Sequence, residues 1–436
     1  MHRLNQAFMV KWRASGKSWL DDPQMRNIGT VTLGTTLAQA VSMAFVPIIA
    51  RLFGPEAWGV LGTVTAIIGI VGPIAAFAYP LAVVLPQKPD HARHLVALSL
   101  AIASFVCLSL LTIGLGAVAL YPFSLVTISG YALIPLIAVA IWCFALNEAA
   151  VQWLIREHRF REIAVVVVLV AIFNNAIRLG AGFVAPSALT LISIYVAGLA
   201  LMFFANAGAA IRHGALGATH FRLLHLRNAA LRYIDFLFYR SPQILLNSIS
   251  QSIPILTLAS FFDIMAAGYF TMAATILAIP VTLVGKAVSD VIYPGLAEKD
   301  RSGQQIYPLV RTYTIRLFGL GIVPFGAVII WGEPLFSLVL GEQWSGAGDY
   351  ARWISLWLFF AFINRPSLAA IPVIKVQRQF LLIEVVALAC KALGFALVIA
   401  FGGSSLTAVA VFCTLSVAHN SVLIIWILNL AKGRAN

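Results

Sequence analysis

Charge is what this sequence has least of. Only 10% of its 436 residues are Asp, Glu, Lys or Arg, against roughly 25% in an ordinary soluble domain. Such a chain cannot make a water-exposed globular surface, which places it in a bilayer. Acid is scarcer than base: 16 Asp and Glu against 29 Lys and Arg, a formal balance of +13. In a soluble protein that excess would point to nucleic acid. Here the cations fall between apolar runs and report topology, so no nucleic-acid partner is expected. Cysteine is thin as well. Cys107, Cys143, Cys390 and Cys413 sit singly in apolar runs without a CxxC pairing. Neither a disulfide framework nor a zinc site is indicated, and they read as lipid-facing or packing residues. The glycine-rich GxxxxGK[ST] phosphate loop is missing, Gly285-Lys286 lacking the earlier glycine. No nucleophile elbow or paired-carboxylate site is found, so the chain is not expected to be an enzyme. His213, His220 and His225 share a basic connection without metal-ligand company and are expected to face solvent.

What is present is apolar length. Hydrophobic residues make up 61% of the chain, and at roughly 20 residues per span plus short connections there is room for about twelve helices. The fold class is therefore an all-α polytopic membrane protein. Runs bounded by charge, Pro and Gly predict spans between Ile28 and Leu430, among them Ala57 to Leu85, Ala266 to Val288, Tyr313 to Trp331 and Tyr350 to Val373. The domains are a basic segment 1–27, a six-helix bundle 28–211, a basic linker 212–240, a second six-helix bundle 241–430 and a tail 431–436.

Residues 1–27 carry Arg3, Lys11, Arg13, Lys17 and Arg26 and no apolar signal-peptide core, so this end is expected in the cytoplasm. Leu4, Phe8 and Trp12 recur every fourth residue, either as an amphipathic helix on anionic membrane lipids or as a frayed basic terminus. With this end inside, Lys88, Arg93, Arg156, Arg159, Arg161, the Arg212 to Arg240 stretch, Lys299, Arg301, Arg311, Lys375, Arg378, Lys432 and Arg434 all fall on inward connections. Outward connections hold little beyond Arg51 and Arg352, read as interface anchors. This asymmetry predicts both termini cytoplasmic. The longest outward loop is expected at Glu333 to Asp349.

The two halves show a weak internal repeat, a common plan among transporters. Leu52 to Gly59 is echoed by Phe261 to Gly268, Tyr79-Pro80 by Tyr293-Pro294, and Phe144 to Glu148 by Ala361 to Arg365. The offsets stay in order: 293−79 = 214, 364−147 = 217 and 378−159 = 219.

An ionised side chain at mid-bilayer costs about 2.5–3.5 kcal/mol on insertion scales, so such residues normally face a bundle interior or a wet cavity. Arg178 and Lys391 stand deepest and occupy matched places in the repeat, 391−178 = 213. Two cations facing one cavity would suit an anionic phosphate or pyrophosphate head group. For Lys391 the alternative is an ion pair with Glu384. Asn174 and Asn175, one turn before Arg178, serve either sugar hydroxyls or interhelical hydrogen bonds. Glu148 and Arg365 lie at matched positions with opposite sign and are candidates for gating or coupling, as is Glu384. Gln39 and Gln251 occupy similar places in the first and seventh helices, as cavity lining or packing glue.

The run from Ala38-Gln39 through Arg51-Leu52-Phe53-Gly54-Pro55-Glu56-Ala57-Trp58-Gly59, with Tyr79 to Pro86, resembles bacterial polysaccharide exporters of the Wzx type. Ser250 to Pro254, Ala267 to Phe270, Val291 to Pro294 and Leu340 to Trp344 follow the same pattern. The resemblance implies the multidrug/oligosaccharidyl-lipid/polysaccharide (MOP) exporter superfamily: two six-helix bundles around a central cavity that alternates between membrane faces. It implies a flippase that moves undecaprenyl-pyrophosphate-linked oligosaccharide repeat units across the bacterial inner membrane for O-antigen, capsule or exopolysaccharide assembly. Polymerase and export proteins of the same pathway are implied partners. No cofactor is expected, and energy would come from a proton or sodium gradient or from consumption of the product. A multidrug cation antiporter and a lipid II flippase are the alternatives within the superfamily; an O-antigen polymerase or ligase would need a large outward loop.

Overall fold

The computed structural model describes residues 23–120, 127–216 and 222–433. The amphipathic reading of Leu4 to Trp12, and His220, lie outside them. The described residues are helical, without a strand, as a bilayer requires of a chain that must satisfy its backbone hydrogen bonds internally. The helices are α1 (Pro23–Leu52), α2 (Pro55–Val71), α3 (Pro89–Leu120), α4 (Thr127–Arg156), α5 (Phe160–Val184), α6 (Ala188–Arg212) and α7 (Leu223–Arg232). They continue with α8 (Ser241–Phe261), α9 (Ile264–Arg301), α10 (Tyr307–Leu340), α11 (Ser345–Ile363), α12 (Arg365–Ile374), α13 (Gln377–Ala400) and α14 (Ser405–Gly433). Among the described residues twelve segments are long and apolar enough to cross a membrane, α11 and α12 forming one of them and the short α7 none. The chain is a multi-pass membrane protein. Leu33, Phe105, Val184, Val323 and Phe401 are widely exposed, a load of apolar surface that lipid accommodates and water does not.

Several expected boundaries move, each for a local reason. The second span stops at Val71 rather than Leu85. Gly72-Pro73 and Pro80 break it into single 3-10 turns at Gly72–Ile74 and Tyr79–Ala82, with Phe77 and Ala78 left-handed at φ 50° and 56°. The eighth span runs on to Arg301 through Pro280 and Pro294. Glu333 to Asp349 is not a loop: α10 continues to Leu340 through a kink at Trp331 (φ −113°, ψ 29°), and Glu342–Trp344 is a 3-10 turn leading into α11. Pro334 removes a helix hydrogen bond just after that kink without ending the helix. The tenth span breaks at Asn364, and α12 starts at Arg365 with Pro366 in its first turn. The 212–240 stretch holds α7 and a π-turn at Phe236–Arg240.

The chain forms two compact units. Of the described residues, unit 1 takes those within 23–45, 67–181 and 192–248, and unit 2 those within 46–66, 182–191 and 249–433. In unit 1 Tyr79, Val83 and Leu95 pack with Trp153, Leu154 and Ile163, and Gly34 lets α1 approach Ala164 of α5. In unit 2 Leu296, Ile306 and Val310 pack with Ala370, Ile374 and Ile427. Since lipid tails are as apolar as leucine, close packing and interhelical hydrogen bonds hold such helices together.

The repeat is written into the geometry of both units. In unit 1 the Asn206 amide donates to the Asn147 Oδ1 at 2.8 Å; in unit 2 the Asn364 amide donates to the Asn420 Oδ1 at 2.9 Å. His158 and Lys375 both adopt the left-handed conformation, φ 57° and 61°, one closing α4 and the other α12. After each, an amide reaches back five residues: Arg159 to the Leu154 carbonyl at 2.8 Å and Val376 to the Ile371 carbonyl at 3.3 Å. The Ser187–Thr190 pair that opens α6 returns as Ser404–Thr407 at α14, each 2.9 Å. The turn and cap share one offset, 375−158 = 217 and 404−187 = 217.

Candidate functional site

In unit 1, α5 carries Arg178 inward toward Tyr195 of α6. Its Nε is buried and has no hydrogen-bond partner, and no carboxylate pairs with it among the described residues. The Oδ1 of Asn174, one turn earlier, is also buried and unpartnered. Gly198 of α6 makes room for that amide, since a Cβ there would strike Asn174 Nδ2. Asn175 is spent structurally: its amide donates to Ser42 Oγ of α1 at 3.1 Å and to the Ala171 carbonyl at 2.7 Å. Asn174 therefore keeps a buried acceptor unused one turn before the cation. Gln39 is exposed. The Glu148 carboxylate accepts from Gln152 at 2.8 Å.

In unit 2, Lys391 of α13 is 8% exposed and its Nζ lies 5.6 Å from the centroid of the Phe412 ring on α14. That places it in cation–π range. Glu384, the alternative partner on the same helix, lies instead 3.3 Å from His419 Nε2, though within electrostatic reach of Lys391. Arg365 opens α12 with its Nε buried and unpartnered against Gly285. Gln251 is exposed.

A cavity of about 690 Å³ opens at the basic end of unit 1, lined by His158, Arg159, Arg161 and Glu162 of the α4–α5 turn and by Arg212 of α6. Glu162 is occupied by His213 at 2.9 Å and lies 3.9 Å from Arg159. The remaining guanidinium groups leave the cavity cationic, and its volume is that of a site for a sizeable ligand. His213 is thus paired and not the solvated residue its basic neighbourhood suggested. Composition marked this connection as topological; only the fold gathers its arginines around a space.

Of the segments that carry the family pattern, Ala50 to Gly59, Ile264 to Gly268 and Leu338 to Trp344 meet inside unit 2. A Cβ on Gly59 of α2 would run into the Ile264 carbonyl of α9, and one on Gly268 into the Pro55 carbonyl. The Trp344 indole and the Gln343 amide both donate to the Ala50 carbonyl, at 2.8 and 2.9 Å. Arg51 donates to the Leu338 carbonyl at 2.9 Å, in the last turn of α10 where the helix dipole is negative. Arg51 therefore clasps the end of α10. Arg352 lies 3.4 Å from Asp349.

The model of a family described as polysaccharide biosynthesis protein matches residues 48–349, more than half of the chain. No curated protein matches the sequence. Among solved structures, the lipid II flippase MurJ in an inward closed conformation superposes with a TM-score of 0.71 at 14% identity, covering 93% of this chain and 89% of that one. An inward-facing multidrug resistance MATE family transporter of the MOP superfamily gives 0.69 at 13% identity, covering 92% and 95%. A MOP superfamily transporter from Pyrococcus furiosus, described as having a binding pocket of reverse polarity, gives 0.61 at 12% identity, covering 95% and 97%. The chain belongs to the polysaccharide biosynthesis protein family and has the fold of the MOP transporters, with their pseudo-repeated helix bundles.

Proposed function

We propose that this member of the polysaccharide biosynthesis family is a flippase that carries undecaprenyl-pyrophosphate-linked oligosaccharide repeat units across the bacterial inner membrane, with both termini cytoplasmic. The single observation that carries the reading is Arg178: a permanent positive charge inside an apolar span, with a buried Nε left unpaired. A buried donor without an acceptor costs free energy until something supplies one. A pyrophosphate supplies several oxygens in the planar, paired arrangement a guanidinium favours. Asn174 adds an acceptor for a sugar hydroxyl. The arginines of the 690 Å³ cavity form the entry from the basic end. The polyprenyl tail stays in lipid while the helices take over the solvation of the polar head. Alternating access driven by a proton or sodium gradient would use Glu384, which faces His419, or Glu148. A cation exporter is disfavoured because the deepest charges are basic. Lipid II presents the same pyrophosphate, and the fold likeness to a lipid II flippase keeps it as the second reading.

The test is rescue of two strains, one lacking its own repeat-unit flippase and making the matching glycan, the other depleted of its lipid II flippase. Wild type, Arg178→Ala, Arg178→Lys and Lys391→Ala are compared at equal membrane levels. Rescue of the first strain by wild type, with lipid-linked intermediate accumulating for Arg178→Ala, supports the reading. Rescue of the second strain alone moves the substrate to lipid II, and full glycan from Arg178→Ala removes Arg178 from the site.

A further inference from the structure

We propose a separate anion site in unit 1, for the phosphate end of a phosphate-bearing ligand, where the start of α3 meets α7. It does not depend on the transport reading. A cavity of about 240 Å³ is lined there by His91, His94, His225, Asn228, Arg232 and Tyr233. The Arg232 Nη1 lies 3.3 Å from His91 Nδ1. Arginine can only donate, so Nδ1 accepts and the ring proton sits on Nε2, making His91 a donor there. The His94 and His225 rings lie with centroids 4.6 Å apart and tilted by 31°, and the Nδ1 of His225 is buried without a partner. The Arg232 guanidinium lies 5.9 Å from the centroid of the Tyr233 ring.

Three imidazoles and a guanidinium thus converge, with the Asn228 amide as a further donor. Among the described residues no Asp or Glu lines the cavity. Asp90, one position before His91, forms a 2.9 Å ion pair with Arg93. A metal ion is the wrong occupant: Arg232 brings a positive charge to the site, and among the described residues no group of three His, Cys, Asp or Glu is arranged to hold one. A phosphate takes charge-assisted hydrogen bonds from guanidinium and imidazole together. The space is smaller than the roughly 300–1,000 Å³ of pockets that enclose a whole drug-sized ligand, so it admits the phosphate end and leaves the rest of the molecule outside. His91 and His94 stand three residues apart near the start of α3, and α7 brings the third histidine and the arginine to them.

The ligand's source is either a soluble phosphate compound or a phospholipid head group. Native mass spectrometry of the purified full chain separates them, using inorganic pyrophosphate, short-chain phosphatidic acid and zinc ion as probes. Wild type is compared with Arg232→Gln, with His225→Gln, and with Arg301→Gln, which removes one charge elsewhere; matched melting temperatures establish folding. Arg232→Lys keeps the charge without the fork and gives an intermediate result. Loss of one charge-assisted pair worth ~1.4 kcal/mol weakens binding about tenfold, in Arg232→Gln and His225→Gln but not in Arg301→Gln. Pyrophosphate adducts identify a soluble ligand, and phosphatidic acid adducts alone identify a head group. Anion binding equal in all variants, no anion adduct on wild type, or stoichiometric zinc instead overturns the proposal.

Discussion

Polar side chains inside the spans do two different jobs, and their hydrogen bonds separate them. Asn147 with Asn206, and Asn364 with Asn420, are hydrogen-bonded pairs that tie one helix to another. A double-mutant cycle on Asn364→Leu and Asn420→Leu should return a coupling of about 0.6–2 kcal/mol, the range of interhelical hydrogen bonds in bilayers, read from reversible unfolding in mixed micelles. Arg178 and Asn174 make no such interhelical bond, and the Arg178 Nε and Asn174 Oδ1 are buried without a partner, as are the Oδ1 atoms of Asn206 and Asn364 within the pairs. Asn174→Leu should therefore leave stability unchanged within about 0.5 kcal/mol or raise it, while lowering glycan export. A large stability loss would reassign Asn174 to packing. Tyr79 is a third case, buried in a 3-10 turn with its hydroxyl donating to the Ala230 carbonyl of α7 at 3.2 Å. Burial holds its phenol above the ordinary value of 10.0. The unfolded chain gives up this proton first, so the stabilisation is complete below about pH 10 and is lost as pH rises through the folded value. Tyr79→Phe should cost about 0.5–1.5 kcal/mol at neutral pH and flatten the alkaline fall in melting temperature. The sequence named Arg178, Lys391 and Asn174 because a polar letter in an apolar run is conspicuous, and reached Asn147 and Asn364 only as matched places in the repeat. It could not say which of them were already paired, since Asn206 and Asn420 lie two helices onward.

At the scale of elements, the spans were legible and their ends were not. Apolar length and bounding charge locate twelve segments, but proline misleads in both directions. Gly72-Pro73 ends α2 early, whereas Pro280, Pro294 and Pro334 lie inside helices that continue. A proline's effect depends on whether neighbouring helices hold the chain straight, which no local pattern records. The crossing of α2 and α9 is the sharpest element-level case. Gly59→Ala or Gly268→Ala would force a methyl into a facing carbonyl and should destabilise by about 1–3 kcal/mol as overpacking. Gly69→Ala, with open space around it, should be neutral or stabilising by about 1 kcal/mol through helix propensity. Melting of the purified chain in detergent checks all three, and equal shifts would mean the crossing is looser than the geometry requires.

For the whole molecule, the repeat was visible as drifting sequence offsets, and the left-handed turns and capping serines fix it at 217 across the fourth to sixth spans. Charge asymmetry set a topology as well. Single cysteines at Ser302 and at Gly402, in an otherwise cysteine-free chain, should react with a membrane-impermeant maleimide from opposite sides, Ser302→Cys only in inverted vesicles. Labelling of both from one side would reverse the assignment of the basic connections to the cytoplasm. Finally, the Trp344 indole, fully buried, gives its proton to the Ala50 carbonyl, 294 positions earlier in the chain. That proton exchanges with solvent only when the hydrogen bond breaks, so its rate in deuterated water, followed by indole NMR, is a clock. It would time how often two distant stretches of one chain part company, in the unlabelled backbone of an otherwise unaltered protein.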